Sequence, residues 1–263
     1  MSNPRRMVAQ CYSSDAEAYE KTWAPVLRPH ARQLLDCLPL HLAGRVLDAG
    51  AGVGSLLPDI RKRAPSAVVV AADCALGMLA RAPASVPRTV TDLLCLGFAP
   101  ATFDVVVMAF VLFHVHDPSQ AMREARRVLR PAGTVGAITW DGEPRFPAQR
   151  VWMEELDSQG AVAIDPSFVN YEPVGSPTKM RGLLEAAGFD AVRAWTAPFD
   201  HEYGMEEFIT IRTTRGIHRR RFESLDEDRR RSFLHRVRER LGTMQRSDFV
   251  DRSTLIFTTA TRR

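Results

Sequence analysis

The sequence predicts an α/β protein with a doubly wound, mostly parallel sheet, and three observations carry this prediction. Short apolar segments, such as 45–49 and 103–110, are nearly continuous, which is typical of strands buried on both faces. Segments with helical spacing separate them, and parallel strands need such crossover connections. A glycine-rich turn at 50–54 joins the first strand to the helix that follows it.

The first half of the chain repeats this alternation. We predict strands at 45–49, 67–72, 89–90 and 103–110, with helices at 55–63 and 75–82. Asp117-Pro118-Ser119-Gln120 should begin the next helix, because the acid can cap it, proline suits its first turn and glutamine closes a capping box. Arg130-Pro131-Ala132-Gly133 should end that helix in a turn, and the next strand should cover 134–140.

The second half of the chain has a looser pattern. A helix is expected at 148–156, and three prolines predict an irregular segment at 165–177. Ser176 can cap another helix that runs to 187 and stops at Gly188. The remaining predicted elements are a strand at 191–197, helices at 205–214 and 226–241, and a closing strand at 253–259.

Two helices are predicted before the first strand. Ser14-Asp15-Ala16-Glu17 has the capping-box pattern, so the first helix should begin there and continue through Trp23. Apolar residues at helical spacing predict the second helix over 29–38.

The composition is that of an ordinary globular protein, with 45% hydrophobic and 25% charged residues. The longest apolar run, 105–113, is too short to span a bilayer, and the first eight residues hold no apolar stretch typical of a secretion signal. Four cysteines without a C-x-x-C pair indicate neither a zinc site nor a disulfide framework. We therefore expect no metal, no membrane association and a reducing, cytoplasmic setting.

The net charge of +4 has a local source. Residues 212–246 contain twelve arginines and five acids. A basic surface can attract nucleic acid, phosphorylated substrates or anionic lipid. Only three of the 35 basic residues are lysine, so a bias of the coding sequence is an alternative source of this arginine density. A solvated helix face is the simpler interpretation of the segment.

The turn at 48–54 reads Asp-Ala-Gly-Ala-Gly-Val-Gly. Glycine tolerates positive φ and lets a ligand approach the backbone. A buried strand, a glycine turn and a helix N-terminus together form a nucleotide-binding corner. The spacing is G-x-G-x-G after an acid, which differs from the G-x-G-x-x-G of dinucleotide-binding proteins.

Acids follow the first three predicted strands, at Asp48, Asp73 and Asp92. Ligands of open parallel sheets bind beyond the carboxyl ends of the strands. Asp73 suits ribose hydroxyls because a carboxylate can accept two hydrogen bonds, although a dinucleotide enzyme would place an acid similarly. Asp92 beside Leu93 suits an adenine ring, which offers an exocyclic amine and an apolar face. Each acid could instead cap a helix.

These segments resemble the class I S-adenosylmethionine-dependent methyltransferases. The resemblance is carried by the first motif, the ribose segment, the fourth strand with its following loop, and the stretch before the fifth strand, at Asp48–Gly54, 73–82, 103–117 and 126–133. Ala132 stands where the family pattern R-x-L-x-P-G-G has glycine. The resemblance covers roughly 40–140 and resumes at 184–189. It implies a Rossmann-like methyltransferase fold with seven strands, the last antiparallel.

The resemblance also implies S-adenosyl-L-methionine as the cofactor and S-adenosyl-L-homocysteine as its product. The residues expected to hold the methionine end are Asp48, Gly50, Ala51, Gly52 and Gly54. Those expected at the ribose and adenine are Asp73, Cys74, Met78, Asp92 and Leu93. Ala109, near the end of the fourth strand, belongs to the same predicted site. Apart from the resemblance, Tyr19 is expected to close over the cofactor from the N-terminal segment, together with Tyr12 and Trp23, and packing in the core is the competing explanation for these aromatic residues.

We expect one structural domain overall. Residues 1–44 would form an N-terminal helical cap and 45–263 the methyltransferase domain. The cofactor half would be 45–140, and inserted helical lid segments at about 141–175 and 200–250 would hold the substrate. Aromatic residues in this variable half suit an apolar small-molecule pocket or a core, namely Trp152, Phe168, Tyr171 and Trp195.

The implied reaction is an in-line methyl transfer to a small organic molecule, such as the hydroxyl of a secondary metabolite. Proximity can supply roughly 7–11 kcal/mol of the barrier, and a general base adds about 10²–10⁴-fold where a hydroxyl must lose its proton. His114 and His201 are the candidate bases, with His116 and Tyr203 behind them. A structural or surface role is the alternative for each.

Two other classes of function remain open from the sequence. The first is a nucleic-acid methyltransferase, but the Asn-Pro-Pro-Tyr-like turn of the base amino-methyltransferases is replaced here by Ala109-Phe110-Val111-Leu112. The second is a cofactor-binding protein without transfer chemistry. The sequence identifies neither the acceptor, nor the methylated atom, nor the oligomeric state.

Overall fold

The computed structural model describes residues 4–163 and 168–263, which form one seven-stranded sheet with helices on both faces. The strands are β1 Arg45–Ala49, β2 Val68–Asp73, β3 Arg88–Val90, β4 Phe103–Ala109, β5 Leu129–Trp140, β6 Phe189–Glu202 and β7 Val250–Arg262. Their order is β3-β2-β1-β4-β5-β7-β6, and β7 is antiparallel to both of its neighbours. The predicted fold class is confirmed. The strand order reverses between β1 and β4, which is where open α/β sheets bind ligands.

Ten α-helices are assigned within the described residues. They are α1 Pro4–Thr22, α2 Ala24–Asp36, α3 Leu57–Arg63, α4 Leu76–Arg81, α5 Pro118–Val128, α6 Pro147–Ser158, α7 Pro177–Ala186, α8 Met205–Thr214, α9 Gly216–Glu223 and α10 Glu227–Gly242. Two predicted caps are confirmed, since Asp117 accepts from the Gln120 N–H at 2.9 Å and Ser176 from the Lys179 N–H at 3.1 Å. The predicted capping box is wrong, because the Gln120 side chain donates to the Leu94 carbonyl at 3.2 Å and not to the backbone of Asp117. None of the helices in the described ranges is long and apolar enough to cross a bilayer.

The predicted start of the first helix at Ser14 is wrong. α1 already includes Pro4, so Ser14 lies in its interior, where the hydroxyl donates to the Cys11 carbonyl at 2.8 Å. A serine hydroxyl can bond back to the preceding turn and thereby remain inside a helix. The second helix also begins earlier than predicted, at Ala24, and holds Pro29 in its interior.

The segment expected to be a turn before the fifth strand is a bulge inside β5. Phe103 pairs with Leu129 and Val105 with Thr134, so most of the residues between Leu129 and Thr134 have no partner on β4. Ala132 adopts φ +62° within this bulge. A residue with a Cβ is less stable in this conformation by roughly 1–2 kcal/mol, which explains why the family pattern has glycine there.

The segment predicted to be irregular at 165–177 lies partly outside the described residues. From Phe168 to Ser176 it contains no helix or strand, as predicted. The other element boundaries lie within a few residues of the predicted ones, except that β6 and β7 extend well beyond 191–197 and 253–259. Helix α9 was not predicted.

A second hydrophobic cluster lies apart from the core that surrounds the sheet. It is built around Trp152, whose ring meets Phe208 and Phe233 edge to face at 5.9 and 4.7 Å. We call this cluster the lid core; its buried residues are Phe146, Ala148, Trp152, Leu156, Tyr203, Phe208, Ile209, Ile211, Leu225, Phe233, Val237, Leu241 and Phe249. Its segments follow β5 and β6 and precede β7, so the chain enters and leaves it at the carboxyl edge of the parallel strands.

Candidate cofactor and acceptor site

The glycine turn after β1 is held against β2 by backbone hydrogen bonds. The N–H groups of Gly50 and Ala51 both donate to the Ala72 carbonyl, at 2.7 and 3.0 Å. Gly50 and Gly52 have φ of +87° and +55°. A Cβ on Gly50 would lie 2.6 Å from the Val111 side chain. The turn therefore requires glycine both for its conformation and for its close approach to neighbouring groups.

Asp73, at the end of β2, faces this turn. Its Oδ2 accepts from the Gly52 N–H at 2.9 Å and its Oδ1 from the Ala75 N–H at 2.8 Å. Burial raises the pKa of Asp73 despite these hydrogen bonds. Each carboxylate oxygen can accept a second hydrogen bond. The carboxylate is thus fixed in place beside the turn, and Cys74 also hydrogen-bonds to it through its backbone and its side chain.

Asp48 lies beneath the turn and is only 1% exposed. Its Oδ2 has no hydrogen-bond partner among the described residues. Burial, with a smaller contribution from the charge of Asp73, raises the pKa of Asp48 to about 7. A buried carboxyl oxygen without a partner is costly, and a ligand with a cationic or hydrogen-donating group would satisfy it.

Nine of the twelve residues predicted at the cofactor line one cavity beside the turn. These are Tyr19, Gly50, Gly52, Asp73, Cys74, Met78, Asp92, Leu93 and Ala109. Asp48, Ala51 and Gly54 are not part of its lining. Gly54 serves packing instead, because a Cβ there would lie 2.7 Å from Leu57 and 2.9 Å from Ala82.

One face of α1 also lines this cavity. It presents Val8, Tyr12 and Tyr19, of which sequence reasoning missed Val8. Residues four apart share one face of a helix, and so do residues eleven apart. The spacing of Val8, Tyr12 and Tyr19 therefore identifies this face once the helix is known to begin before Val8.

A second and larger cavity, of about 590 Å³, adjoins the first. Four residues line both cavities, namely Tyr12, Tyr19, Phe110 and His114. Much of the remaining wall is aromatic and comes from Trp23, Phe113, Trp140, Phe146, Phe168, Tyr171 and Tyr203. Two of the aromatic residues expected at the substrate lie elsewhere, because Trp152 is in the lid core and Trp195 stacks on Phe257 of β7. We call this space the acceptor cavity.

His114 lies between the two cavities with both ring nitrogens engaged. Its Nδ1 is 3.0 Å from the Phe168 carbonyl oxygen and its Nε2 is 2.7 Å from the Tyr12 hydroxyl. Because a carbonyl can only accept, we assign the proton to Nδ1, so Nε2 accepts from Tyr12. Burial lowers the pKa of His114 to about 4. The ring is therefore neutral at pH 7, with its lone pair directed to Tyr12.

The other candidate bases are placed differently. His201, on β6, packs among Trp23, Phe199 and Tyr203 and lines neither cavity. Its position therefore gives no support to the predicted role as a base. His116 lines the cofactor cavity alone, and Tyr203 lines the acceptor cavity alone.

The basic segment, interpreted as a solvated face, has a more specific arrangement. Arg219 pairs with Asp15 of α1, and Arg221 is 5% exposed and pairs with Asp157 at 2.5 Å. Other arginines of the segment form ion pairs at the surface, such as Arg238 with Glu206 at 3.1 Å. Arg212 and Arg215 instead line the acceptor cavity.

The strand order, the open glycine turn and the fixed acid at the end of β2 define a doubly wound protein that binds a nucleoside cofactor. A family model described as a methyltransferase domain matches residues 47–136. The demethylmenaquinone methyltransferase of Mycolicibacterium vanbaalenii is 38% identical over 173 residues, which cover 62% of this chain and 75% of that protein. The chain belongs to the class I S-adenosylmethionine-dependent methyltransferases and uses S-adenosylmethionine as its cofactor.

Two further similarities agree with this assignment. The nocamycin O-methyltransferase of Saccharothrix syringae is 31% identical over 201 residues, covering 68% of this chain and 70% of that protein. A solved structure of phosphoethanolamine N-methyltransferase 2 from Haemonchus contortus, in complex with S-adenosyl-L-methionine, aligns with a TM-score of 0.62 at 16% identity. That alignment covers all of this chain and 60% of the other, and it supports the fold alone.

Proposed function

We propose that this methyltransferase transfers its methyl group to an oxygen of a small organic molecule bound in the acceptor cavity. The observation that carries the proposal is the junction of the two cavities at His114 and Tyr12. A group held on one side of this junction can approach a group held on the other, which is the main requirement of an in-line displacement. The volume of about 590 Å³ suits a small molecule.

In this proposal the cofactor occupies the cavity beside the glycine turn. Asp48 and the turn hold the methionine end, Asp73 accepts from the ribose hydroxyls, and Asp92 with Leu93 and Met78 contacts the adenine. When bound, the cofactor supplies a methyl group that is already activated by the sulfonium. The chain therefore has to position the acceptor, exclude water and receive a proton.

His114 and Tyr12 are the groups that we propose receive the proton. The Phe168 carbonyl holds the proton on His114 Nδ1, which leaves Nε2 as an acceptor beside both cavities. An acceptor hydroxyl that donates to this pair can lose its proton as the new bond forms. Because the pKa of His114 is about 4, the ring is a weak base, and we expect proximity to contribute more than proton removal.

The charges around the acceptor cavity favour an oxygen acceptor over an amine. Four arginines and two acids line it, namely Arg145, Arg150, Arg212, Arg215, Glu143 and Asp251. A protonated amine would meet this positive excess, whereas a neutral or acidic hydroxyl would not.

A nucleic-acid acceptor is the alternative that we consider less favoured. Several arginines of 212–246 are engaged within the protein, such as Arg219 with Asp15 and Arg236 with Glu155. Reversing the charges of Arg219, Arg220 and Arg221 would be a poor test, because Arg219 and Arg221 hold α9 against the rest of the molecule. Release of S-adenosylhomocysteine with transfer RNA as the acceptor, compared with small phenols, distinguishes the two proposals directly.

The experiment combines a binding and a turnover measurement. Calorimetry with S-adenosylhomocysteine reports the cofactor site, and product release with a panel of phenols and hydroxylated acids reports transfer. His114→Ala should lower kcat by about 10²–10⁴-fold and leave the affinity for S-adenosylhomocysteine within roughly threefold. His201→Ala, which lies outside both cavities, is the matched control and should retain full turnover.

Three results would contradict parts of the proposal. If His114→Ala retains full turnover, proximity alone accounts for transfer and the base is rejected. If only nucleic acid is methylated, the small-molecule acceptor is rejected. If the cofactor binds and no acceptor of any class is methylated, a binding role without transfer becomes the better account.

A further inference from the structure

We propose that the acceptor carries a carboxylate, and that Arg215 and His218 bind this group on the lid wall of the acceptor cavity, with Arg212 behind them. The inference rests on the proposed function, because it specifies the chemistry of the molecule that this cavity takes. It is carried by two hydrogen-bond donors that are buried in one wall and have no partner among the described residues.

Arg215 is the first of these donors. It is the single residue between α8 and α9, with an extended backbone at φ −153° and ψ 158°. Its guanidinium carbon lies 4.3 Å over the ring of Trp23, and its buried Nε has no hydrogen-bond partner in the part of the chain that the structure describes. Arg215 forms no ion pair with any residue in the described ranges. Burial lowers the pKa of Arg215, but a guanidinium remains protonated at neutral pH.

His218 is the second donor, one turn further along the chain. Its Nε2 is 3.3 Å from the Gln149 Nε2, which can only donate. We therefore assign the proton to His218 Nδ1, and this buried nitrogen has no partner within residues 4–163 and 168–263. Both Arg215 and His218 line the acceptor cavity. Two buried donors without partners in one wall lower the stability of the folded protein unless a ligand with acceptor atoms forms hydrogen bonds with them.

Arg212 adds a second fixed positive charge to the same wall. It is 4% exposed, and its Nε and Nη2 donate to the Gln149 Oε1 at 2.8 and 2.6 Å. Its guanidinium carbon also lies 3.6 Å over the ring of Phe208. Burial lowers the pKa of Arg212 to about 10, so it stays charged at neutral pH. Its hydrogen bonds go to the uncharged amide of Gln149, and the negative charge of Asp251 opposes the lowering of its pKa.

The acids that line the cavity among the described residues compensate these two charges only in part. Asp251 is the buried one, and its Oδ1 accepts from the Ser253 hydroxyl at 2.5 Å. Burial raises the pKa of Asp251, and the charge of Arg212 opposes this shift. Glu143 is exposed at the mouth, where Arg145 and Arg150 outnumber it. Among the residues that the structure describes, the buried wall therefore has two guanidinium groups and one carboxylate, an excess that an anionic ligand would compensate.

A carboxylate on an aromatic or apolar body fits this wall best. A guanidinium offers its donors in a planar fork that matches the two oxygens of a carboxylate. The ring of Trp23 already holds the Arg215 fork on one face, and aromatic side chains form much of the cavity beyond it. The carboxylate of the cofactor is a less favoured source, since neither Arg212 nor Arg215 lines the cofactor cavity.

Matched acid and amide probes test the inference without any need for turnover. The probes are benzoate and 1-hydroxy-2-naphthoate, with benzamide and 1-hydroxy-2-naphthamide as their uncharged counterparts. Binding is measured by tryptophan fluorescence and calorimetry in the presence of saturating S-adenosylhomocysteine. We expect at least one acid to bind about tenfold or more tightly than its amide, and Arg215→Gln to remove this preference.

Arg238→Gln is the matched control, because Arg238 is exposed and paired with Glu206 outside the cavity. It should keep the preference for the acid, and Arg215→Lys should keep part of it. Equal binding of acid and amide would overturn the inference, as would failure of every acid to bind or a preference that survives Arg215→Gln.

The cofactor is tested as the other source of the carboxylate in a separate arm. If Arg215→Gln weakens the binding of S-adenosylhomocysteine by about tenfold or more when no probe is present, Arg215 binds the carboxylate of the cofactor and the inference is rejected. Failure of the wild type to bind S-adenosylhomocysteine would instead contradict the proposed function, so the two failures are distinguishable.

Discussion

Replacement of Asp48 by asparagine tests the donor site most directly. The side chain is 1% exposed, and its Oδ2 has no partner in the described structure. Asparagine keeps the shape of the side chain and removes its charge. If Asp48 faces the ammonium group of the cofactor, the substitution should stabilise the free protein and weaken cofactor binding.

The size of the effect on stability follows from the pKa of Asp48. Burial raises it from 3.8 to about 7, a difference equivalent to about 4 kcal/mol. The folded state then binds this proton more tightly than the unfolded state, so the contribution to stability is present below pH 4 and is lost as the pH rises to 7. About 3 kcal/mol of this stabilisation is lost between pH 5 and pH 8. Asp48→Asn should lack this loss.

Cofactor binding should have the opposite dependence on pH. Below pH 7 the free protein holds a proton on Asp48, and an ammonium group beside the carboxylate would displace it. The affinity of the wild type for S-adenosylhomocysteine should therefore fall by up to about tenfold per pH unit below 7. The affinity of Asp48→Asn should be weaker at pH 7.5 and nearly independent of pH.

Urea unfolding at pH 5 and 8 gives the stability difference between the variant and the wild type. Calorimetry at pH 6 and 7.5, in two buffers with different ionisation enthalpies, counts the protons released on binding. A stability difference that is the same at both pH values would refute the raised pKa. Binding without proton release at pH 6 would refute contact between Asp48 and the ammonium group.

Two further substitutions test the site and the packing of α1. Asp73→Ala should weaken the binding of S-adenosylhomocysteine by at least about tenfold, because both carboxylate oxygens are held in position for the ribose. Asp200→Ala, at the exposed surface of β6, should leave the affinity unchanged. Equal affinities of the two variants in calorimetry would reject the ribose contact. Gly77→Ala should lower the free energy of unfolding by roughly 1–3 kcal/mol, because its Cβ would lie 2.6 Å from the Ser13 carbonyl oxygen. Gly97→Ala is the control and should change stability little, because its Cβ would meet no atom within 4 Å. Melting temperatures that coincide for the two glycine variants would contradict this account.

The sheet could be predicted because its strands are buried on both faces. β1 matches its predicted range of 45–49 because buried parallel strands have a distinct apolar pattern. The start of α1 could not be predicted, since contacts distant in sequence help to determine it. Asp15 accepts from the Gly216 N–H at 2.6 Å, a contact between residues 201 positions apart. A local capping pattern contains no information about such a contact.

The site likewise has some residues that the sequence pattern predicts and others that only contacts distant in sequence bring together. The acids Asp73 and Asp92 could be predicted as neighbours, because parallel strands end at one edge of the sheet. The pairing of Tyr12 with His114 spans 102 residues and became visible only in the folded chain. Arg215 lies in a segment rich in exposed arginines, and neither composition nor spacing distinguishes it from the arginines that form surface ion pairs.

The separation of the lid core from the core around the sheet has a consequence for engineering. Phe146, Tyr203 and Ile211 belong to the lid core and also line the acceptor cavity, whereas no buried residue of the lid core lines the cofactor cavity. Substitutions at sites that share no contacts tend to have additive effects. Libraries that aim to change the acceptor can therefore be confined to these lid positions, while the glycine turn and the strands beneath it stay constant as a reusable donor module.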